Sequence, residues 1–445
     1  MPAGDGVMLM QLVSLLLITL IVTVCIGAVY INGSAGSPAS LFAILFGAQM
    51  ILSLLLLEAD LNGEFDGFLW LTAAIGLFAL GSFASGKAYN AKHEHRALRA
   101  EIPAGGVYDG RAMGRVMIVL LVLALVQPIS VIYRLGYTAA DLLTPQGLLN
   151  INSAAAKARY LSGNYLTGVY TQAFLMLVYL LPLIGGWNMA FSLRKRRRVL
   201  CGLTVAPSLF VLLTQNTKAA FIGAVLLFIS GFLTAQVYRK GRFFRLGARS
   251  LRVLIPLAAA FLVLNYVSFI LREGGASASI FGKINSKSLN YLLGQIPAFN
   301  YWFSTGAGST QPTFGLRTFY SVSDALGLMK RSPGIYSTKL VTANLDTNVY
   351  TAFRPLIEDF TALGALAVVF GTGIVSGLCF ARLKSGRAGS LCVAFTAAIY
   401  FYILYSFITS PWAYASYSAA AVAFLFYLII IRRCAPGKAR MLNKG

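Results

Sequence analysis

Charged residues are scarce in this chain. They make up 11% of its 445 residues, whereas a soluble domain has about 25%. Hydrophobic residues account for 58% of the chain, and the mean hydropathy is +0.73. This balance excludes an ordinary water-soluble domain and predicts an integral membrane protein with several spans.

Acidic residues are fewer than basic ones, 14 against 37, so the formal net charge is +23. A charge of this size could indicate a nucleic-acid partner. However, the lysines and arginines stand in short clusters between hydrophobic runs, as the positive-inside rule requires. No basic helix or aromatic–basic module accompanies them. We therefore expect no nucleic-acid partner.

Histidine and cysteine are also rare. The two histidines, His93 and His95, share one connection, and the five cysteines lie at or near span ends. Buried cysteine behaves as a small apolar residue, so we predict no disulfide and no cysteine metal site. The acidic stretch at 58–67, EADLNGEFDG, resembles a calcium loop, but Leu71 stands where an EF-hand needs a glutamate. No metal site is predicted there.

Eleven apolar runs have the length of a membrane span. Helices are the expected form, because a lipid-embedded backbone must satisfy its own hydrogen bonds. The fold class is therefore predicted to be all-α, a single polytopic transmembrane domain over residues 1–445. The runs are 8–30, 40–57, 68–86, 115–136, 166–192, 199–215, 220–238, 251–270, 356–381, 390–409 and 414–431.

The connections differ sharply in charge, and this predicts orientation. With eleven spans, four basic connections (87–115, 194–198, 239–252 and 382–387) and the basic C-terminal tail fall on one side, and together they hold 25 of the 37 lysines and arginines. That side is assigned to the cytoplasm. The C-terminus is then cytoplasmic and the N-terminus periplasmic, in a bacterial inner membrane. The start of the chain lacks the basic region of a signal peptide, so the first span is expected to remain a helix.

Residues 271–355 interrupt the hydrophobic spans and form the one long connection, which the charge pattern places on the periplasmic side. The segment is dense in aromatic residues, including Trp302 and Tyr350. Aromatic faces can stack on sugars, and these two are candidate sugar-binding residues. Aromatic side chains also pack loop interiors and mark membrane interfaces, and both alternatives stay open.

Six cations lie at predicted external span ends, where the positive-inside rule disfavours them. They can anchor helices by snorkelling, or they can share an anionic ligand such as a phosphate or diphosphate. The second interpretation is favoured, with Lys218 at a helix start that also offers free N–H groups. The six are Arg134, Lys157, Arg159, Lys218, Arg272 and Arg354, and all except Lys157 are predicted diphosphate ligands.

No histidine lies on the predicted external side, so general-base work there falls to a carboxylate. The candidates are Glu273, Asp324, Asp346, Glu358 and Asp359. Glu273 follows Arg272 directly and Asp346 lies in the run LDTNVYT, and these two are the predicted catalytic carboxylates. For Asp359 the simpler expectation is an acid in the first turn of the ninth span, at the positive end of the helix dipole.

The external motifs resemble a known family. The run at 347–360, followed by Gly364, reads TNVYTAFRPLIEDF and is similar to the N-x-Y-T … D-F-x-x-x-G run of the oligosaccharide repeat unit polymerases, the Wzy-type O-antigen and capsule polymerases. The turn TQNTKAAF resembles that family's T/G-x-R-x-x element, with Lys218 in place of arginine. Arg272, with Gly282 downstream, is similar to the family's spacing of arginine and glycine.

This resemblance implies a membrane glycosyltransferase with a helical fold related to the O-antigen ligases. Its donor and acceptor would be undecaprenyl-diphosphate-linked oligosaccharides, with no metal or cofactor and with a chain-length regulator as a further partner. An acceptor hydroxyl would attack the donor anomeric carbon with inversion, and the arginines would stabilise the departing diphosphate. A carboxylate would take the hydroxyl proton.

Two alternatives remain from the sequence. An O-antigen ligase would use the same donor with another acceptor, but ligases usually have a periplasmic histidine, which is not predicted here. A lipid-linked oligosaccharide flippase belongs to a different class and needs charges along a path through the membrane. The predicted span interiors are almost free of ionisable residues, so the polymerase is favoured.

Replacing Arg272 tests the predicted diphosphate role. We expect Arg272→Ala to abolish long-chain polymer, because a fixed charge beside the leaving group is lost. Polysaccharide gels of a complemented deletion strain would measure chain length, and immunoblotting of membranes would control for protein level. Polymer of parental length from a normally inserted variant contradicts the role.

Overall fold

The computed structural model describes residues 3–57, 61, 63–93, 102, 105–158, 169–241, 263, 266–267, 290, 292–307, 311–330, 336, 340–342 and 345–434. These residues are mostly helical. The helices are α1 Ala3–Asn32, α2 Pro38–Leu56, α3 Asp66–Ala91, α4 Arg111–Arg134, α5 Pro145–Lys157, α6 Val169–Met189, α7 Lys195–Leu203, α8 Ala206–Gln215, α9 Lys218–Lys240, α10 Gln295–Gly306, α11 Tyr320–Ala325, α12 Phe353–Lys384, α13 Ser390–Tyr405 and α14 Ala415–Cys434.

Nine helical segments in the described part of the chain are long and apolar enough to cross a membrane, and α7 with α8 counts as one of them. Helix α13 is apolar but shorter. This confirms a mostly helical, multi-pass membrane architecture. The predicted span at 251–270 lies almost wholly outside the described residues, so the count of eleven stays a prediction.

Local sequence explains where several helices begin. Ser37 caps α2, since its hydroxyl oxygen accepts a hydrogen bond from the Ser40 N–H, and Pro38 occupies the first helical position. Thr144 and Pro145 begin α5 in the same way. This amphipathic helix lies within the connection predicted at 137–165, where the sequence indicated no element.

The chain divides into two compact units. In its described part, the first unit comprises α1 to α3, α10 to α12 and the segment 402–415. The second comprises α4 to α9 and most of α13 and α14. The prediction of a single domain over the whole chain is not decided by this division.

Glycine allows the closest helix packing in the first unit. Gly373 and Gly377, one turn apart on α12, face the backbone of α3 at Phe78 and Ser82. Neither glycine has room for a Cβ atom without displacing the α3 backbone. Close approach of this kind is a common source of stability between membrane helices, where lipid removes the usual hydrophobic drive.

In the second unit, α6 and α9 also make close contact through glycines. Gly186 on α6 meets the backbone of α9 at Phe228, and Gly231 on α9 meets α6 at Leu183. Each unit is therefore built on one pair of long helices whose backbones touch through glycine.

The connection predicted at 271–355 holds short elements. In its described residues, α10 and α11 are followed by a two-stranded antiparallel sheet of β1 Leu340–Val341 and β2 Asp346–Thr347. Asn300 docks α10 on the start of α3, where its side chain donates to the Glu64 carbonyl at 2.7 Å and accepts from the Gly67 N–H at 2.9 Å. Trp70 of α3 packs against Phe299 and Phe303.

The α3–α12 contact gives a stability prediction. We expect Gly377→Leu to lower the melting temperature in detergent, because overpacking costs about 1–3 kcal/mol. Gly371→Leu is the matched control on the same helix, since its Cβ would enter open space. Thermal unfolding of both purified variants would measure the difference, and equal melting temperatures would contradict a packing role for Gly377.

Candidate functional site

Arg354, near the start of α12, is enclosed by aromatic rings. Its guanidinium carbon lies 3.7 Å from the ring centre of Tyr336, 4.2 Å from that of Tyr350 and 5.0 Å from that of Trp302. The residue is buried. Cation–π contact with three rings replaces part of the hydration that the guanidinium has lost.

The charge of Arg354 is neutralised by Glu358. The two residues are one helical turn apart, so they share a face of α12, and Arg354 Nε donates to Glu358 Oε1 at 3.0 Å. Tyr336 donates its hydroxyl to the other oxygen of Glu358 at 3.4 Å. Burial raises the pKa of Tyr336 well above its ordinary value, and the Glu358 carboxylate raises it further. The phenol therefore stays a neutral donor.

A second arginine reaches the same carboxylate from the surface. Arg317 Nε lies 3.9 Å from Glu358 Oε2, at the outer limit of an ion pair, and 40% of the Arg317 side chain is exposed. Arg354 and Glu358 are both about nine-tenths buried. Of these three charged groups, Arg317 is the one that an external anion can reach.

Asp359 holds the backbone that carries Arg317. Its fully buried carboxylate accepts hydrogen bonds from the Thr313 hydroxyl at 2.6 Å, the Arg317 N–H at 2.9 Å and the Thr318 N–H at 2.7 Å. The expectation of a first-turn helix acid is wrong, because α12 begins at Phe353 and Asp359 is its seventh residue. The carboxylate binds the 313–318 turn instead.

The helical path of α12 breaks at Thr361, with φ 65° and ψ 170°. Such a conformation in a non-glycine residue costs on the order of 1–3 kcal/mol. Contacts from elsewhere in the first unit hold the break. The Glu358 and Asp359 carbonyls accept from the N–H groups of Thr313 and Phe314, at 3.3 and 3.1 Å.

On the far side of the break, the Trp70 indole donates to the Ala362 carbonyl at 3.1 Å. Thr361 itself caps the continuing helix, since its hydroxyl oxygen accepts from the Gly364 N–H at 3.4 Å. Both ends of the interruption are therefore satisfied by side chains or by loop backbone.

The structure brings three of the predicted site residues together, Arg354, Trp302 and Tyr350. Both aromatic residues are buried against the arginine. Their faces towards Arg354 are occupied by the guanidinium, and sugar stacking by either residue stays a prediction. Asp346 lies at an exposed position of β2. The predicted residues Arg159, Arg272 and Glu273 lie outside the described residues.

The other two predicted cations belong to the second unit. Arg134 is the last residue of α4 and is exposed. Lys218 is the first residue of α9, and its ammonium nitrogen is shielded from solvent. The preceding turn contains Asn216 in the left-handed conformation, whose amide donates to Asn152 at 3.0 Å. A network of side-chain amides thus fixes the turn.

The residues Arg317 and Tyr336 were missed as site residues by sequence reasoning. Arg317 was one of several cations in a long connection, and no local pattern distinguishes it. The Arg354–Glu358 spacing was a usable signal, because arginine and glutamate four residues apart on a helix are neighbours. Over the residues described, no group of three or more histidine, cysteine, aspartate or glutamate side chains could hold a metal ion.

Comparisons of the chain with protein-family models, with curated proteins and with solved structures found no match.

A double-mutant cycle tests the buried ion pair. Glu358→Leu alone leaves the buried Arg354 without its carboxylate, and Arg354→Met alone leaves Glu358 with only its long contact to Arg317. Breaking a buried ion pair in this way typically costs about 3–5 kcal/mol. We expect each single variant to melt well below the parent. The double variant should recover much of that loss, because both charges are gone. Thermal unfolding in detergent would measure the cycle, and additive losses would show that the two residues are not energetically coupled.

Proposed function

We propose that this protein is a membrane glycosyltransferase that polymerises lipid-diphosphate-linked oligosaccharide repeat units on the external face of a bacterial inner membrane. The observation that carries the proposal is the half-exposed Arg317 beside the buried Arg354–Glu358 pair, at the end of a membrane-spanning helix. Charge distribution predicts that this end is external. The family resemblance of residues 347–360 supports the same reaction.

Arg317 is the first ligand that we assign to the donor diphosphate. Its long contact with Glu358 is weak, so an arriving phosphate can take over the guanidinium and bind it in a bidentate manner. Arg354 keeps its contacts with Glu358 and the three aromatic rings when the phosphate binds Arg317. Asp359 fixes the backbone of Arg317 through two N–H groups, which limits how far the guanidinium can move.

The proposed reaction is a single displacement. The acceptor hydroxyl oxygen forms a bond to the donor anomeric carbon, and the bond from that carbon to the diphosphate oxygen breaks. Undecaprenyl diphosphate leaves with the electron pair, and Arg317 stabilises its developing charge. The hydroxyl proton goes to a carboxylate, for which Asp346 and Glu273 are the candidates. Asp346 is exposed, so it can meet a hydroxyl from solution.

The remaining assignments follow from the sequence. The sequence predicts Arg134, Arg159, Lys218 and Arg272 as diphosphate ligands and Trp302 and Tyr350 as sugar-binding residues, and these assignments stay predictions. A chain-length regulator is a proposed partner. The O-antigen ligase and the flippase are the rival functions.

Substitution of Arg317 tests the proposal. We expect Arg317→Ala to leave mainly single-repeat material, because the leaving group loses its external arginine. Arg317→Lys should retain partial polymerisation, because the charge remains but the bidentate geometry is lost. Lys330→Ala is the matched control, since it removes another exposed cation from the same connection. Polysaccharide gels of complemented deletion strains would measure chain length.

Immunoblots of isolated membranes would show that all three variants insert to parental levels. Full-length polymer from Arg317→Ala would contradict the assignment of Arg317. A deletion strain that makes no surface material, not even a single repeat, would favour a ligase or a flippase over a polymerase.

A further inference from the structure

Five large apolar side chains are exposed within one short stretch of the first unit. Phe314 is 80% exposed, and it also has a positive φ of 50°. Clustered exposed apolar residues mark an interaction surface, whereas single ones need no explanation. The five are Phe314, Phe319, Val322, Leu326 and Leu328, and together they are named the apolar face of 314–328.

The spacing of these residues follows helix α11. Phe319, Val322 and Leu326 recur at intervals of three and four residues, so they lie on one side of the helix and its flanks. A neighbouring side is packed inward. Tyr320 donates its hydroxyl to the Lys330 carbonyl at 3.1 Å, and Ser323 donates to the Leu316 carbonyl at 3.0 Å. The segment therefore has an anchored side and an uncovered apolar side.

Two backbone contacts fix the depth of the segment relative to α12. Thr313 and Phe314 donate their N–H groups to the carbonyls of Glu358 and Asp359. These carbonyls lie three and two residues before the break at Thr361, after which α12 continues as an apolar helix. Phe314 is thus tied to the end of a helix that can span a membrane.

The segment is also hydrogen-bonded next to the start of a second membrane helix, α14. Ser321 donates its hydroxyl to the Ala413 carbonyl at 2.6 Å, and helix α14 begins two residues later at Ala415. The segment is therefore fastened to the ends of two spans at once. A segment held there meets the boundary between lipid headgroups and acyl chains.

The charges fit this boundary. Arg317 precedes α11 and Lys330 follows the last residue of the apolar face, and both side chains are at least partly exposed. Phenylalanine and leucine prefer the acyl-chain side of an interface, while arginine and lysine reach the phosphates. The only acid among the exposed residues of α11 is Asp324, roughly 140° around the helix from Phe319.

We infer that residues 314–328 form an interfacial segment whose apolar face is inserted into one leaflet of the bilayer. The partner is the phospholipid of that leaflet. The inference does not depend on the proposed glycosyltransferase activity, because it rests on the exposure of the apolar side chains, on the anchoring of the segment and on its flanking cations. It also assigns the aromatic residues Phe314 and Phe319 to lipid and not to sugar.

Single cysteines labelled with a small fluorophore test the insertion. Phe314→Cys and Leu326→Cys report the apolar face, and Asp324→Cys is the control on another exposed side of the same segment. The full-length protein would be placed in nanodiscs of phosphatidylethanolamine and phosphatidylglycerol, with or without lipid carrying a nitroxide high on the acyl chain. The unsubstituted protein, labelled in parallel, gives the background from the native cysteines.

We expect the nitroxide lipid to lower emission about twofold at positions 314 and 326, with aqueous iodide quenching only position 324. Iodide quenching at 314 and 326 equal to that at 324, without lipid quenching, would overturn the inference. Protection of 314 and 326 from both quenchers would also overturn it, because the face would then be covered by protein, such as a second copy of the chain.

Discussion

A guanidinium buried at the end of a membrane helix must be neutralised, and three segments of the first unit meet at Arg354 to do this. Glu358 supplies the opposite charge, and Tyr336, Tyr350 and Trp302 surround the cation. These partners come from α10, α12 and the connection between them. One buried charge therefore draws separate parts of the chain to the same place, since leaving it unpaired would be strongly destabilising.

The break at Thr361 also lets α12 bind a segment that is distant in sequence. An uninterrupted helix would use the Glu358 and Asp359 carbonyls within its own ladder. The break frees them to hold residues 313 and 314, while the Asp359 carboxylate holds residues 317 and 318. The cost of an unfavourable φ is offset by at least four hydrogen bonds to one turn, and that turn carries both Arg317 and the exposed Phe314.

The sequence was sufficient for the elements that depend on local composition. Apolar runs predicted the nine helical segments of the described residues that are long enough to cross a membrane, and the Ser37–Pro38 pair accounts for the start of α2. The four-residue spacing of Arg354 and Glu358 was also enough to predict that the two side chains are neighbours on a helix. The break at Thr361 was not, because it lies in an apolar run without proline, and its stability comes from Trp70 and Thr313, which are distant in sequence. Arg317 and Tyr336 reach the site through tertiary packing alone.

The position of the break has a consequence for length. After Thr361, helix α12 continues for about 23 residues, or roughly 34 Å at 1.5 Å per residue. The hydrocarbon layer of a bilayer is about 30 Å thick. The part beyond the break can therefore cross the membrane unaided, and the eight residues from Phe353 to Phe360 are released from spanning. The polar side chains of these eight residues can therefore pack inside the protein. In a helix only just long enough to cross the membrane, the same residues would have to lie in the bilayer.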